Sequence, residues 1–290
     1  MSTLKQNFIF LSVLFLISKS VLSCSEKSQS TVSKKNKNVK KVDAQVSLAK
    51  NFKDTIKGIY SNAGKKLPYT LLNFNDSLST EKKSFVIFLH GAGERGEDNK
   101  SHLAVGLPNF VATLKKSGLK NFVVLAPQCA LNERWVDVDW STTAHQMKKI
   151  PYWPMNLALS AMDSIINTIP NLDTNRIYVT GLSMGGYGTW EMVQRRPNFF
   201  AAAIPICGGG DKTLAKSLTK IPIWCFHGSK DKAVPVVRTT DMYNSIKKEI
   251  SSNPLKIKMT LYENKGHLIW NETYDNLELI NWMLSQRKNP

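Results

Sequence analysis

From residue 67 onward, apolar residues come in short unbroken runs, and between the runs they recur at helical spacing. Leu67–Phe74 reads as a strand, with Asn75, Asp76 and Ser77 as a turn. Phe85–Leu89 is a continuous apolar run ending in His90-Gly91, and Phe122–Ala126 is another ending in Pro127. Leu157–Ile169 predicts a helix, with apolar residues at Leu157, Ala161, Met162, Ile165 and Ile166. Further strands are predicted at Ile177–Thr180, Phe200–Ile206, Ile221–Phe226 and Leu255–Tyr262. Helices are predicted at Thr189–Arg196, Pro235–Ile250 and Thr273–Leu284. Apolar strands without polar alternation are buried on both faces. Alternating with helices, they predict an α/β fold: a mostly parallel central sheet with helices on both faces. Active groups in such sheets gather at the carboxyl ends of the strands.

Residues 127–156 break the pattern. Trp135, Trp140, Tyr152 and Trp153 fall there with little periodicity. A long aromatic connection inside a compact domain is often a functional loop. We expect Gln128, Trp135 and Trp140 to line a substrate pocket; local packing of the rings is the alternative.

The first residues follow another logic. Phe8–Ile17 is apolar except for Ser12, and it leads into Val21-Leu22-Ser23-Cys24. The run is short for a membrane span and has the proportions of a secretory signal. Its end resembles a bacterial lipobox, which implies lipidation of Cys24; Leu22 is bulky for that pattern. The expected organisation is a lipoprotein-type signal over 1–23, a flexible basic tether over 24–47 and a catalytic domain over 48–290. The expected location is the cell envelope, lipid-anchored, with a soluble secreted form as the alternative.

The chain of 290 residues carries a formal charge of +17. Residues 1–53 hold ten lysines against Glu26 and Asp43, a local excess of +8. The remaining excess is dispersed, so no nucleic-acid partner is expected. With Cys24 set aside, Cys129, Cys207 and Cys225 give an odd count and no disulfide framework. No Cys/His spacing suits zinc, and neither metal nor cofactor is expected.

The chemistry begins at Gly181-Leu182-Ser183-Met184-Gly185. This is G-x-S-x-G between a strand and a helix. A side chain at either flanking position would strike a neighbouring element, so glycine is required. Ser183 is then presented at the sheet end, and the N–H of Met184 can face a developing oxyanion. The nucleophile needs a base. Of five histidines, His90 and His227 precede glycines at strand ends and read as turn formers. His102 and His145 lie in irregular stretches. His267 follows the last strand and is expected as the base. The orienting carboxylate is expected at Asp231, after the preceding strand, with Asp211 as rival. The second oxyanion donor is expected to be the N–H of Ala92, in the Gly-rich loop after Leu89.

These stretches resemble the α/β-hydrolase superfamily: FLHGAGERGEDN at 88–99, APQC at 126–129, RIYVTGLSMGGYGTWEM at 176–192, AAAIPICGGGD at 201–211 and FHGSKDKAVPV at 226–236. More narrowly, they are similar to the carboxylesterase and predicted-peptidase branch near dienelactone hydrolases, polyhydroxybutyrate depolymerase-like esterases and feruloyl esterases. The resemblance covers about 67–285 and is loosest from Tyr262 to Trp270. It implies a serine nucleophile and an oxyanion site at Ala92 and Met184. The expected activity is cleavage of carboxylic esters, small or on plant polysaccharide. A peptidase for short peptides and a non-catalytic binding protein on a hydrolase scaffold are the alternatives.

Overall fold

The computed structural model describes residues 54–250 and 257–288. The expected signal, Cys24 and the tether lie outside the described residues. Eight strands form one sheet: β1 Asp54–Asn62, β2 Lys65–Phe74, β3 Lys83–Leu89, β4 Phe122–Pro127, β5 Leu172–Leu182, β6 Ala202–Ile206, β7 Ile223–Gly228 and β8 Ile257–Tyr262. Their order is β1-β2-β4-β3-β5-β6-β7-β8. β1 pairs antiparallel with β2, and β2 with β4; the other pairings are parallel.

The unbroken apolar runs are explained by two cores, one on each face of the sheet. Along β3, Phe85, Ile87 and Leu89 enter one core, while Val86 and Phe88 enter the other. The first core is covered by α2 Trp153–Ile166, α3 Met184–Arg195 and α4 Val237–Glu249. The second is covered by α1 Leu107–Lys116, α5 Trp270–Tyr274 and α6 Leu277–Ser285. Among the described residues, no helix is long and apolar enough to cross a membrane.

Four differences from the expected elements have physical causes. β1 is added at the sheet edge; Ile56 and Ile59 are exposed there, so it carries no buried stripe to read. α1 is also added. Its signals were present: Leu107, Phe110, Val111 and Leu114 are buried at helical spacing, with proline in the first turn. α3 opens five residues before Thr189, through Gly185, Gly186 and Gly188, which are poor helix formers. Packing demands them: a Cβ on Gly186 would lie 2.2 Å from the Ile206 carbonyl oxygen. The closing helix is two helices, because the Asn276 side chain accepts from the N–H of Glu278 at 2.9 Å and starts a second one.

Candidate active site

Ser183 stands between β5 and α3 at φ 55°, ψ −117°. A non-glycine residue there is strained, and surrounding structure must hold it. Its N–H donates to the Ile206 carbonyl at 2.9 Å, and its carbonyl accepts from Tyr187 at 3.1 Å. The flanking glycines make the turn possible. A Cβ on Gly181 would lie 2.4 Å from the Gly185 oxygen, and one on Gly185 would lie 1.9 Å from the Leu89 oxygen.

Asp231 follows β7 and His267 follows β8. Gly228 brings their loops together: a Cβ there would sit 2.1 Å from the Gly266 oxygen. The Lys230 N–H donates to the Lys265 carbonyl at 2.8 Å, closing the two loops on each other. The Cys207 thiol contacts the His267 carbonyl at 3.5 Å, and Trp270 stands edge-on to the imidazole at 5.4 Å between centroids.

The three side chains meet. His267 Nδ1 lies 2.6 Å from Asp231 Oδ2, and Nε2 lies 2.8 Å from Ser183 Oγ. An ionised carboxylate only accepts, so Nδ1 carries the proton and Nε2 is open to the serine hydroxyl. Asp231 Oδ1 accepts from the N–H groups of Ala233 and Val234, and Oδ2 also contacts His227 Nε2 at 3.1 Å. Burial alone would raise the Asp231 pKa, but the donors from His227, His267 and Val234 outweigh it and hold the carboxyl well below the usual range. The rival Asp211 is engaged elsewhere. It caps the segment after β6 through Thr213, and it accepts from the Met147 N–H at 2.8 Å.

Met184 and Ala92 each open a helical segment, so neither N–H has an intrahelical acceptor. Gly91 packs against the elbow; a Cβ there would meet Leu182 Cδ1 at 2.8 Å.

The expected pocket lining is corrected at two of its three residues, Gln128 and Trp135. Gln128 and Trp135 are both 0% exposed. The Gln128 amide is spent on the 94–99 loop, accepting from the Asn99 N–H at 2.7 Å and donating to Asp98 at 2.8 Å. Trp135 Nε1 donates to the His90 carbonyl at 3.1 Å. Neither presents surface to a ligand. Trp140 is half-buried, with Arg134 above its ring. His90 is more than a turn former, because its imidazole joins β3 to the 129 loop. That partner lies 39 residues away, with no local signal for it.

Cys129, Cys207 and Cys225 are free and buried. Among the described residues, ligand-type atoms of Cys207, Asp231 and His267 lie within 4.8 Å of one another. Two of these three side chains are already committed to each other.

The chain matches the family described as Dienelactone hydrolase family over residues 104–278. That range includes Ser183, Asp231 and His267, and begins after Ala92. A thermostable esterase of known structure is 34% identical, at a TM-score of 0.72 over 81% of this chain and 64% of its own. A ferulic acid esterase is 16% identical, at a TM-score of 0.57 over 79% of this chain and 98% of its own. This second likeness shows the fold alone. A bifunctional acetylxylan esterase/xylanase of Neocallimastix patriciarum is 36% identical over 61 residues, 21% of this chain and 9% of that protein. The chain thus spans less than two thirds of the thermostable esterase and matches 9% of the Neocallimastix patriciarum enzyme.

Proposed function

The chain belongs to the dienelactone hydrolase family, and on that premise we propose that it is a serine hydrolase cleaving carboxylic esters. The observation that supports this most is the unbroken hydrogen-bond path from Ser183 through His267 to Asp231. Ser183 Oγ bonds to the ester carbonyl carbon as His267 Nε2 takes its proton. The N–H groups of Ala92 and Met184 receive the oxyanion. Collapse expels the alcohol, which leaves with the proton from His267. Water then repeats the cycle on the acyl-enzyme. Asp231 holds the imidazole in its Nδ1–H tautomer and offsets the charge that forms on it.

The substrates we propose are acetyl or feruloyl esters, small or on plant polysaccharide. The stretch shared with an acetylxylan esterase/xylanase supports that choice. The N-terminal run and Cys24 belong to the same proposal, as an export signal and lipid anchor. Labelled palmitate retained by a Cys24→Ala variant would remove the anchor.

The test is labelling by a fluorophosphonate together with turnover of p-nitrophenyl acetate. The expected result is one labelled site, abolished in Ser183→Ala, with turnover reduced by about 10⁴-fold or more. An unlabelled, inactive wild-type chain would overturn the hydrolase reading. Faster cleavage of aminoacyl anilides than of esters would move the substrate to peptides.

A further inference from the structure

The Gly91 carbonyl, which shares a peptide with the Ala92 N–H, accepts weakly from the Glu94 N–H of its own turn at 3.4 Å and much more closely from the preceding side chain. His90 Nδ1 lies 2.6 Å from the Gly91 carbonyl oxygen, and His90 Nε2 lies 2.9 Å from the Cys129 nitrogen. These contacts fix the tautomer. The Cys129 N–H can only donate, so Nε2 accepts and Nδ1 carries the proton to Gly91. Burial lowers the His90 pKa to about 4, which keeps the ring in that neutral form at ordinary pH. A trans peptide is planar, with its C=O and N–H directed oppositely. A donor that fixes the Gly91 carbonyl therefore fixes the Ala92 N–H on the other side. The hydrogen bond to the carbonyl also polarises the peptide and makes its N–H a better donor.

The surroundings are built to keep the imidazole in place. Trp135 Nε1 donates to the His90 carbonyl at 3.1 Å, and its ring meets the imidazole edge-on at 5.2 Å. Arg95 Nε donates to the Ala92 carbonyl at 2.8 Å, and its NH1 reaches the Glu133 carbonyl at 3.1 Å. The Gly96 N–H donates to the Cys129 carbonyl at 2.9 Å. Both carbonyls that flank the Ala92 N–H are thus anchored to residues 129–135 or to side chains resting on them.

We infer that His90 is a positioning residue for the oxyanion site: its Nδ1–H aims the Ala92 N–H by holding the Gly91 carbonyl, and the 129–135 loop braces it. This rests on the reading of Ala92 as an oxyanion donor. It gives Trp135 a role behind the site in place of the pocket-lining role expected from sequence.

Three variants of the full chain test it. Asn places an N–H donor where Nδ1 stood, Gln places one where Nε2 stood, and Ala places none. Each is checked for native circular dichroism, then compared by kcat and KM on p-nitrophenyl acetate and by affinity for a trifluoromethyl ketone, whose serine adduct carries an oxyanion. His90→Ala and His90→Gln should lose about 10²-fold in kcat, with KM within about threefold and ketone affinity falling in step with kcat. His90→Asn should recover about tenfold of that loss. A merely structural role would leave ketone affinity unmoved or make Asn and Gln equivalent, and either result overturns the inference. If His90→Ala does not fold, the Asn and Gln comparison still decides. An active wild type with Asn no better than Gln sinks this inference alone. A wild-type chain that neither turns over esters nor labels sinks it together with the hydrolase reading.

Discussion

The turn around Ser183 is shaped by side chains it lacks, whereas the connection from Gln128 to Tyr152 is shaped by side chains it has. At the turn, β5, α3 and the end of β3 approach so closely that Gly181 and Gly185 leave no room for a single carbon. The connection holds its path through long-range bonds: Trp135 to the His90 carbonyl, Gln128 to the 94–99 loop, Tyr152 to the Glu133 carboxylate, and Met147 to Asp211. Backbone crowding tolerates no substitution, while a hydrogen-bonded brace yields by degrees. The two regions meet at the oxyanion loop, which rests on the turn through Gly91 and on the connection through His90.

The largest expected contrast is between the two aspartates that serve these regions. Asp231→Asn should lower kcat on an ester by about 10³–10⁴-fold, because the imidazole loses the acceptor that sets its tautomer. Asp211→Asn should change kcat by less than about threefold and cost about 1 kcal/mol in stability, the usual scale of a lost cap. Urea melts and steady-state kinetics on both variants measure this; an inactive Asp211→Asn beside an active Asp231→Asn would reverse the assignment.

Next in size is substitution within each region. Gly185→Ala puts a carbon 1.9 Å from the Leu89 oxygen. It should cost about 3 kcal/mol or more, or leave no folded chain. Trp135→Phe keeps most of the ring but removes its N–H, leaving the buried His90 carbonyl without that donor. About 1 kcal/mol is expected from denaturant midpoints. Equal losses from the two would erase the distinction between crowding and bracing.

The last effect concerns acid and acts on the brace alone. Burial lowers the pKa of His90 to about 4, of His102 to about 3 and of His145 to about 4. The unfolded chain binds these protons first, near the ordinary histidine value. Stability is therefore full above about pH 6.5 and is lost as pH falls toward 4. For His90 alone the loss is on the order of 2 kcal/mol at pH 5. The lowered carboxylates Asp98, Asp211 and Asp231 act only below that window. Urea midpoints measured between pH 7 and 4.5 should fall, and fall less in His90→Asn. A flat profile would mean that the brace is not held by neutral imidazoles.

Much of this molecule is written locally. Seven of the eight strands were legible, most plainly β3, β4, β6 and β7, whose burial on both faces demands continuous apolar residues. β1 was not, since none of residues 55–62 is buried and most are exposed. The glycine pair around Ser183 could be read from its G-x-S-x-G spacing, but the neighbour that Gly185 clears is the Leu89 oxygen of β3, far away in sequence. The sequence order of Ser183, Asp231 and His267 singled out these residues. Their meeting at 2.6 and 2.8 Å depends on Gly228 letting two loops close, a contact between residues 38 positions apart. The tryptophans show the limit most plainly. An indole stabilises a pocket wall and a buried brace by the same chemistry, and composition does not say which side of it faces water. Side-chain type and short-range sterics are properties of the chain itself. Which carbonyl accepts a given donor, and hence what Trp135 and His90 do, is decided only when β3, β5 and the 129–135 loop pack around one another.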